Sequence, residues 1–206
     1  SKGLRSIQRK GSNSFEALNE PIILDGPYSN SAFDIVCKND KVYMIIGGKD
    51  LLNGKRFDKG GYILTYDYDK WSFIDPKEAQ KKLNLPRNPR DYTSIAVTTD
   101  DSNDEIVYAS SMGDGVIQYK NGTPVQSYNE KNAFKETAGG YGSGYCYIDG
   151  LAFDKNGNLW MTSSEVNHAV LVLDKAGAWH RLDIEQLRGV YTINDILITS
   201  TRSEER

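Results

Sequence analysis

Short hydrophobic runs alternate with polar turns along this chain, and the runs are arranged in a unit that repeats. Three units open at residues 34–36, 94–97 and 150–153, and three further runs of strand length follow each opening. A fourth opening stands at residues 195–198. A unit of four strands that recurs every several tens of residues is typical of a β-propeller blade. The pattern therefore predicts an all-β protein.

We predict one partial β-propeller over residues 1–206, with about three complete four-stranded blades at residues 31–76, 92–130 and 148–184. Residues 1–30 are expected to end a preceding blade, with its outer strand near 21–24, and residues 192–206 to start the next one. Propellers close by repetition of about four to eight blades, so three blades leave open edges. We therefore expect a piece of a longer protein that can self-associate through these edges.

Two connections between units carry helix signals. Asp75 is an acid that can cap a helix N-terminus, Pro76 suits the first turn, and Glu78 follows three residues after the cap. Asp183 and Gly189 frame a second, shorter helix by the same logic. Both helices are predicted to be additions to a body of strands.

Charge and hydropathy exclude two classes of partner. The 206 residues carry a formal net charge of -3, and the basic residues are scattered among acidic ones. This distribution predicts no binding to nucleic acid, which needs a basic stripe or patch. The longest apolar stretches, such as residues 42–46 and 169–173, are far shorter than the roughly 18 residues that cross a bilayer. No transmembrane segment is expected.

The two cysteines lie about two predicted blades apart. A disulfide needs Cα atoms within about 7 Å, so Cys37 and Cys146 are not expected to pair. We predict that both are small, buried, apolar side chains rather than reactive thiols.

No set of residues suggests catalysis, a metal site or a cofactor. His168 and His180 have no neighbouring ligand at a metal-binding spacing, and the motifs for a nucleophilic serine or cysteine and for a phosphate loop are absent. Residues 154–158 read Asp-Lys-Asn-Gly-Asn, which begins like a calcium loop but lacks the later acidic ligands. The same residues suit a hairpin turn, which we favour.

Two loops are longer than their counterparts in the other units, and long loops in a compact fold are often functional. The first covers residues 47–61 and the second residues 129–147. Exposed basic and aromatic side chains on such loops suit contacts with protein or carbohydrate. The candidate binding residues, all expected to be accessible to solvent, are Lys55, Arg56, Tyr141 and Tyr145. Residues expected to be buried between blades instead are Trp71, Trp160 and Trp179.

Residues 149–162 include an apolar strand followed by Asp-x-x-Gly-Asn-Leu-Trp, and they resemble the two-component-regulator type of propeller repeat. A wider set of segments is similar, in the same order, to the middle of the PorZ-like propeller proteins of the type IX secretion system. The similarity runs from about Gly26 to Asp195. The segments are residues 26–33, 47–48, 61–71, 114–122 and 128–132. Ser163 and Ser164 depart from it, since relatives often place an Asn there.

This resemblance implies a non-enzymatic binding or scaffold propeller at the surface of a Gram-negative cell. It implies action with a sortase-like partner in attaching anionic lipopolysaccharide to secreted cargo, and thus a protein partner, a surface polysaccharide or both. An alternative is the periplasmic, oligosaccharide-sensing half of a hybrid two-component regulator. A third class, a propeller hydrolase or lyase, would need metal ligands or paired acids and bases at the central channel.

Overall fold

The computed structural model describes residues 7–17, 26–134 and 144–199. Antiparallel strands dominate these ranges, and no helix within them is long and apolar enough to span a bilayer. A short hairpin of β1 (Ile7–Arg9) and β2 (Phe15–Ala17) comes first in the chain. The outer strand predicted near residues 21–24 lies outside the described residues.

Residues 32–182, as far as the structure describes them, contain three successive four-stranded antiparallel meanders. Sheet 1 contains β3 (Ala32–Lys38), β4 (Lys41–Ile46), β5 (Ile63–Asp67) and β6 (Lys70–Ile74). Sheet 2 contains β7 (Tyr92–Thr99), β8 (Glu105–Gly113), β9 (Gly115–Lys120) and β10 (Thr123–Tyr128). Sheet 3 contains β11 (Cys146–Phe153), β12 (Leu159–Ser163), β13 (Val170–Leu173) and β14 (Trp179–Leu182). A short pairing of β8 with β11 joins sheets 2 and 3.

The core lies between the sheets in two layers. Side chains alternate along each strand, so one face of β8 packs toward sheet 1 and the other toward sheet 3. Val107 and Ala109 belong to the layer between sheets 1 and 2, whereas Tyr108 packs against the layer between sheets 2 and 3. Sheet 2 is therefore apolar on both faces, as expected of a sheet stacked between two others.

The first strands of the three sheets, β3, β7 and β11, are the inner strands. Hydrogen bonds at the first residue of each repeat connect them. Asp34 of β3 accepts hydrogen bonds from the Ser94 hydroxyl and the Ile95 amide of β7, both at 3.1 Å. The Ser94 hydroxyl in turn accepts from the Leu151 amide of β11 at 3.2 Å. Gly150 has no side chain to offer, and a Cβ there would lie 2.6 Å from the amide nitrogen of Ile196. The sheets are thus coupled by polar contacts at their inner edge.

The first predicted helix is confirmed, and the second is much shorter than expected. Helix α1 (Pro76–Leu83) is capped by Asp75, whose carboxylate accepts from the Lys77 amide at 2.9 Å. The second connection holds only a 3₁₀ helix, Glu185–Leu187, without a side-chain cap. Asp183 forms an ion pair with Arg188 instead, at 2.6 Å. The Asp183 carboxylate is thus bonded to that guanidinium, and Ile184 stands at the cap position.

Three further expectations differ from the structure. Residues 195–198, which open like a strand, form no strand, although they lie against Gly150 of β11. Cys146 is buried as expected, but Cys37 is exposed because it lies on the face of sheet 1 turned away from sheet 2. The three tryptophans, expected to be largely buried between blades, are half-buried: Trp71 and Trp179 lie on the outermost strands β6 and β14, and Trp160 lies on the face of β12 turned away from sheet 2.

Candidate functional site

The two long loops and the connections between sheets lie at the same end of the molecule. In an antiparallel meander, the turns β3–β4 and β5–β6 are at one end, and the loop β4–β5 and the connection β6–β7 are at the other. By the same alternation, the loop β8–β9 and the connection β10–β11 join them. Residues from sheets 1, 2 and 3 can therefore meet at this end.

Arg56 from the first long loop and Tyr145 from the second are in direct contact. The Arg56 guanidinium donates to the Tyr145 hydroxyl at 3.2 Å. Arg87, in the connection from α1 to β7, lies over the same ring, with its guanidinium carbon 5.3 Å from the centroid, and Arg56 lies 6.0 Å from it. Cations over an aromatic face are attracted by its quadrupole. Two guanidinium groups thus hold one tyrosine ring.

Each guanidinium of this group is balanced by a carboxylate. Arg56 donates from Nε to Asp91 at 3.2 Å, and Arg87 pairs with Asp114 at 2.7 Å. We call these five residues, Arg56, Arg87, Asp91, Asp114 and Tyr145, the Arg–Tyr cluster. It joins the β4–β5 loop, the β6–β7 connection, the β8–β9 loop and the start of β11. Its charges are mostly satisfied internally, so it fixes the loops in place.

Asp91 is the anchor of the cluster. Its side chain is completely buried, and it accepts from the Lys59 amide at 2.9 Å as well as from Arg56. Burial raises the pKa of Asp91, and the hydrogen bonds from Lys59 and Arg56 oppose that rise. The main-chain amide and carbonyl of Asp91 are also used, by Lys59 and Met112. The residue therefore holds the first long loop against β8.

Exposed cations at this end of the molecule form a cationic rim, which shares Arg87 with the cluster. We define it as Lys55, Lys59, Arg87 and Arg90, all of which are exposed. The exposed anion among them is Asp58, which lies 3.4 Å from Arg56 and 3.8 Å from Arg90. Phe57 is 46% exposed, and the Lys59 ammonium lies 5.5 Å from its ring centroid. The rim offers an aromatic ring and several cations on a protein that is acidic overall.

The four predicted binding residues differ in how they are placed in the structure. Lys55 is exposed, as expected. Arg56 and Tyr145 are half-buried and bonded to each other, because they anchor the loops. Tyr141 lies outside the described residues. Asp91 and Asp114 were not anticipated as site residues. The available signal for Asp91 was its place next to Arg90 and near Arg87, directly before a strand.

The first long loop, residues 47–61, also contains a lysine that is buried in the interior. The Lys49 ammonium pairs with Asp149 of β11 and donates to the Thr192 hydroxyl at 3.0 Å. Asp149 also accepts from the Ser164 hydroxyl. The side chains of Lys49 and Asp149 are 3% and 2% exposed. The loop thus bridges from sheet 1 to sheet 3 through a buried ion pair.

The turn predicted at residues 154–158 is confirmed. The Asp154 carboxylate accepts from the amides of Asn156 and Asn158, both at 2.9 Å, and from the Trp160 indole at 3.0 Å. These hydrogen bonds lower the pKa of Asp154 to about 2, against an opposing effect of burial that is the largest single contribution. The carboxylate oxygens are therefore engaged in holding the turn and the indole.

Comparisons with known proteins bear on the fold. No protein-family model and no curated protein matches the chain. A solved structure of PorZ, a bacterial surface component of the type IX secretion system of Porphyromonas gingivalis, aligns with a TM-score of 0.70 and 22% identity. The chain has a PorZ-like propeller fold. The alignment covers 97% of this chain and 25% of the PorZ chain, so the chain spans a quarter of that protein's length.

A second solved structure is an α-L-arabinofuranosidase from Clostridium thermocellum. Its TM-score is 0.41 with 12% identity, and the alignment covers 76% of this chain and 58% of the enzyme. At this level of similarity it carries no argument about fold or activity. The two-component-regulator repeat stays a prediction, because no family model matches.

Proposed function

We propose that this chain is a non-enzymatic binding scaffold at the surface of a Gram-negative cell and that it serves type IX secretion. The main observation in support is the PorZ-like propeller fold over nearly the whole chain. The Arg–Tyr cluster supports the proposal, since it holds loops from three sheets in one rigid arrangement. Rigid loops that present arginine and aromatic side chains are suited to binding a protein partner.

The finer parts of the proposal come from the sequence resemblance. We propose that the chain belongs to a propeller of more blades than its three sheets. We also propose that it acts with a sortase-like partner in attaching anionic lipopolysaccharide to secreted cargo. The cationic rim is consistent with either an acidic protein surface or an anionic polysaccharide, because cations attract both.

A crosslinking experiment tests the proposal and its site together. A photoreactive benzoylphenylalanine would replace Phe57 in the full-length protein, which is then irradiated in an envelope extract of the source bacterium. We expect crosslinks to a sortase-like protein or to lipopolysaccharide. The charge reversal Arg90→Glu, in the same protein, should reduce the yield severalfold because it removes one cation of the rim.

The matched control places the photoreactive residue at Lys70, the first residue of β6 after the β5–β6 turn, at the opposite end of sheet 1. Lys70 is exposed, so accessibility alone does not distinguish the two positions. Equal crosslinking from both positions would argue against the rim. Recovery of neither a sortase-like protein nor lipopolysaccharide would contradict the proposed function.

A further inference from the structure

An open cleft lies between sheets 2 and 3, at the end of the molecule opposite the Arg–Tyr cluster. Its volume is about 690 Å³, within the range of about 300–1,000 Å³ that is usual for binding pockets. The strand ends and the turns β7–β8, β11–β12 and β13–β14 line it. Since these turns are at the opposite end of the meanders from the long loops, the cleft is separate from the proposed site.

The repeat provides an internal comparison, because the gap between sheets 1 and 2 has the same position. There the space is only about 230 Å³. Lys41 pairs with Glu105 of sheet 2 at 2.8 Å, and the Tyr43 hydroxyl donates to the same carboxylate. These three side chains fill the first gap with a polar network.

The second gap has different residues at the equivalent positions. Tyr43 pairs with Val36 in sheet 1, and Tyr108 pairs with Ala96 in sheet 2, so Tyr43 and Tyr108 occupy the same position of the repeat. Counting along the strand from these two residues, Lys41 corresponds to Ile106. The same alignment between sheets 2 and 3 makes Glu105 correspond to Gly157. The cation is replaced by an aliphatic side chain and the carboxylate by none. The second gap therefore lacks the polar network that fills the first.

The floor of this cleft is mostly apolar. It is formed by the aromatic rings of Tyr108, Tyr128 and Phe153, with Leu159 and Leu173. The Tyr128 hydroxyl donates to the Gln118 side-chain oxygen at 2.9 Å, and the Tyr108 and Tyr128 rings are stacked with centroids 6.4 Å apart. Burial is the main cause that raises the pKa of Tyr108, as expected for a poorly hydrated floor.

The mouth of the cleft carries charges of both signs. Lys120 pairs with Asp100 at 2.7 Å, and Lys175 of sheet 3 reaches Asp101 of sheet 2 at 3.2 Å. Lys155 and Asp174 also lie on the lining, so the cleft mouth has three cations and three anions. Balanced charges at the mouth do not favour a strongly anionic or cationic ligand. It suits a neutral chain with both hydrogen-bond donors and acceptors, such as a peptide backbone.

We propose that the cleft between sheets 2 and 3 binds an aromatic or branched aliphatic side chain of a partner peptide. Such a side chain loses no hydrogen bonds on entering the apolar floor, and burying it is favourable. A sugar ring would bring several hydroxyl groups, each of which needs a partner when it leaves water. On the floor, the hydroxyl of Tyr128 is already bonded to Gln118. The chemistry of the cleft therefore favours the peptide side chain.

Nuclear magnetic resonance titration of the chain with small probes tests the proposal. The probes are N-acetyl-phenylalanine amide, N-acetyl-leucine amide, N-acetyl-glycine amide and methyl-α-glucoside. We expect the first two to shift the amide signals of Phe153, Gly157 and Tyr108, with affinity at least tenfold above that of the glycine and sugar probes. Equal or tighter binding of the glucoside, or no shift with any probe, would overturn the proposal.

Two variants locate the binding. Gln118→Trp fills the cleft, and Lys155→Trp adds the same indole at an exposed residue of the cleft mouth. Each should weaken binding of the phenylalanine probe at least tenfold, and the second variant decides if the first does not fold. Thr123→Trp adds the same indole at an exposed position outside the cleft lining and should leave binding unchanged. Unchanged binding in a folded cleft variant would refute the assignment.

Discussion

Removing one partner of the Lys49–Asp149 pair should destabilise the protein strongly. Both side chains are almost completely buried, so water cannot solvate the charge that remains. Breaking a buried ion pair by removing one member typically costs about 3–5 kcal/mol. We expect a loss of this size for Lys49→Met. Of the two described side chains that bond the Asp149 carboxylate, only Ser164 would remain. The measurement is the free energy of unfolding in urea at pH 7.

The double variant Lys49→Met/Asp149→Leu separates the cost of an unpaired charge from the value of the pair. Replacing both charges by apolar groups is often neutral or stabilising by about 1–4 kcal/mol. We therefore expect the double variant to recover most of the lost stability. The matched control is Lys175→Met, which breaks a pair whose members are 70% and 90% exposed. That change should cost less than about 1 kcal/mol.

The pH dependence gives an independent check of the same pair. Burial raises the pKa of Asp149 more than Lys49 and Ser164 lower it. The native state then binds the proton more tightly than the unfolded chain. The contribution of this group is fully present below its unfolded pKa of about 4 and declines as the pH rises through the native value. Asp149→Asn should remove that decline. A Lys49→Met loss no larger than the Lys175→Met loss would refute the reasoning.

Three further predictions follow from other contacts. Gly150→Ala should lower the melting temperature by several degrees, because its Cβ would lie 2.6 Å from a backbone nitrogen; an unchanged melting curve would contradict the close approach. The tryptophan fluorescence should change as Asp154 is protonated near pH 2, and Trp160→Phe should abolish this change, since the indole bonds that carboxylate. The stability that this ionised carboxylate contributes is present above about pH 4 and is lost as the pH falls through about 2. Tyr145→Leu should loosen the first long loop, seen as faster amide exchange at Arg56 and Lys59, whereas Tyr68→Leu at an exposed turn should not.

The order of strands could be predicted from the sequence because it depends on local patterning. Alternation along each run fixes which face is buried, and polar turns fix where runs end. The Asp75 cap and the turn at Asp154 were predictable for the same reason, since each is made by residues close in the sequence. Asp183 shows the limit of that logic, because its carboxylate is bonded to a nearby guanidinium instead.

The candidate site was only half predictable. The unusual length of two loops pointed to Arg56 and Tyr145, but not to their contact, which joins residues from two different sheets. The exposure of these side chains was misjudged for the same reason, since burial depends on neighbours distant in sequence. Similarly, nothing local to Lys49 or Asp149 indicates that they pair. Only the stacking of the sheets brings them together.

The side chains that join the first strands of neighbouring sheets differ in length from one junction to the next. An Asp side chain spans the first junction, a Ser hydroxyl spans the second, and at Gly150 the two backbones are in direct contact. The side chain that spans each junction therefore shortens from the first to the last, although the repeats look alike. The sheets are not interchangeable modules. An engineered chain that shuffled or duplicated them would place side chains of the wrong length at the junctions between first strands. This would happen even with every hydrophobic layer preserved.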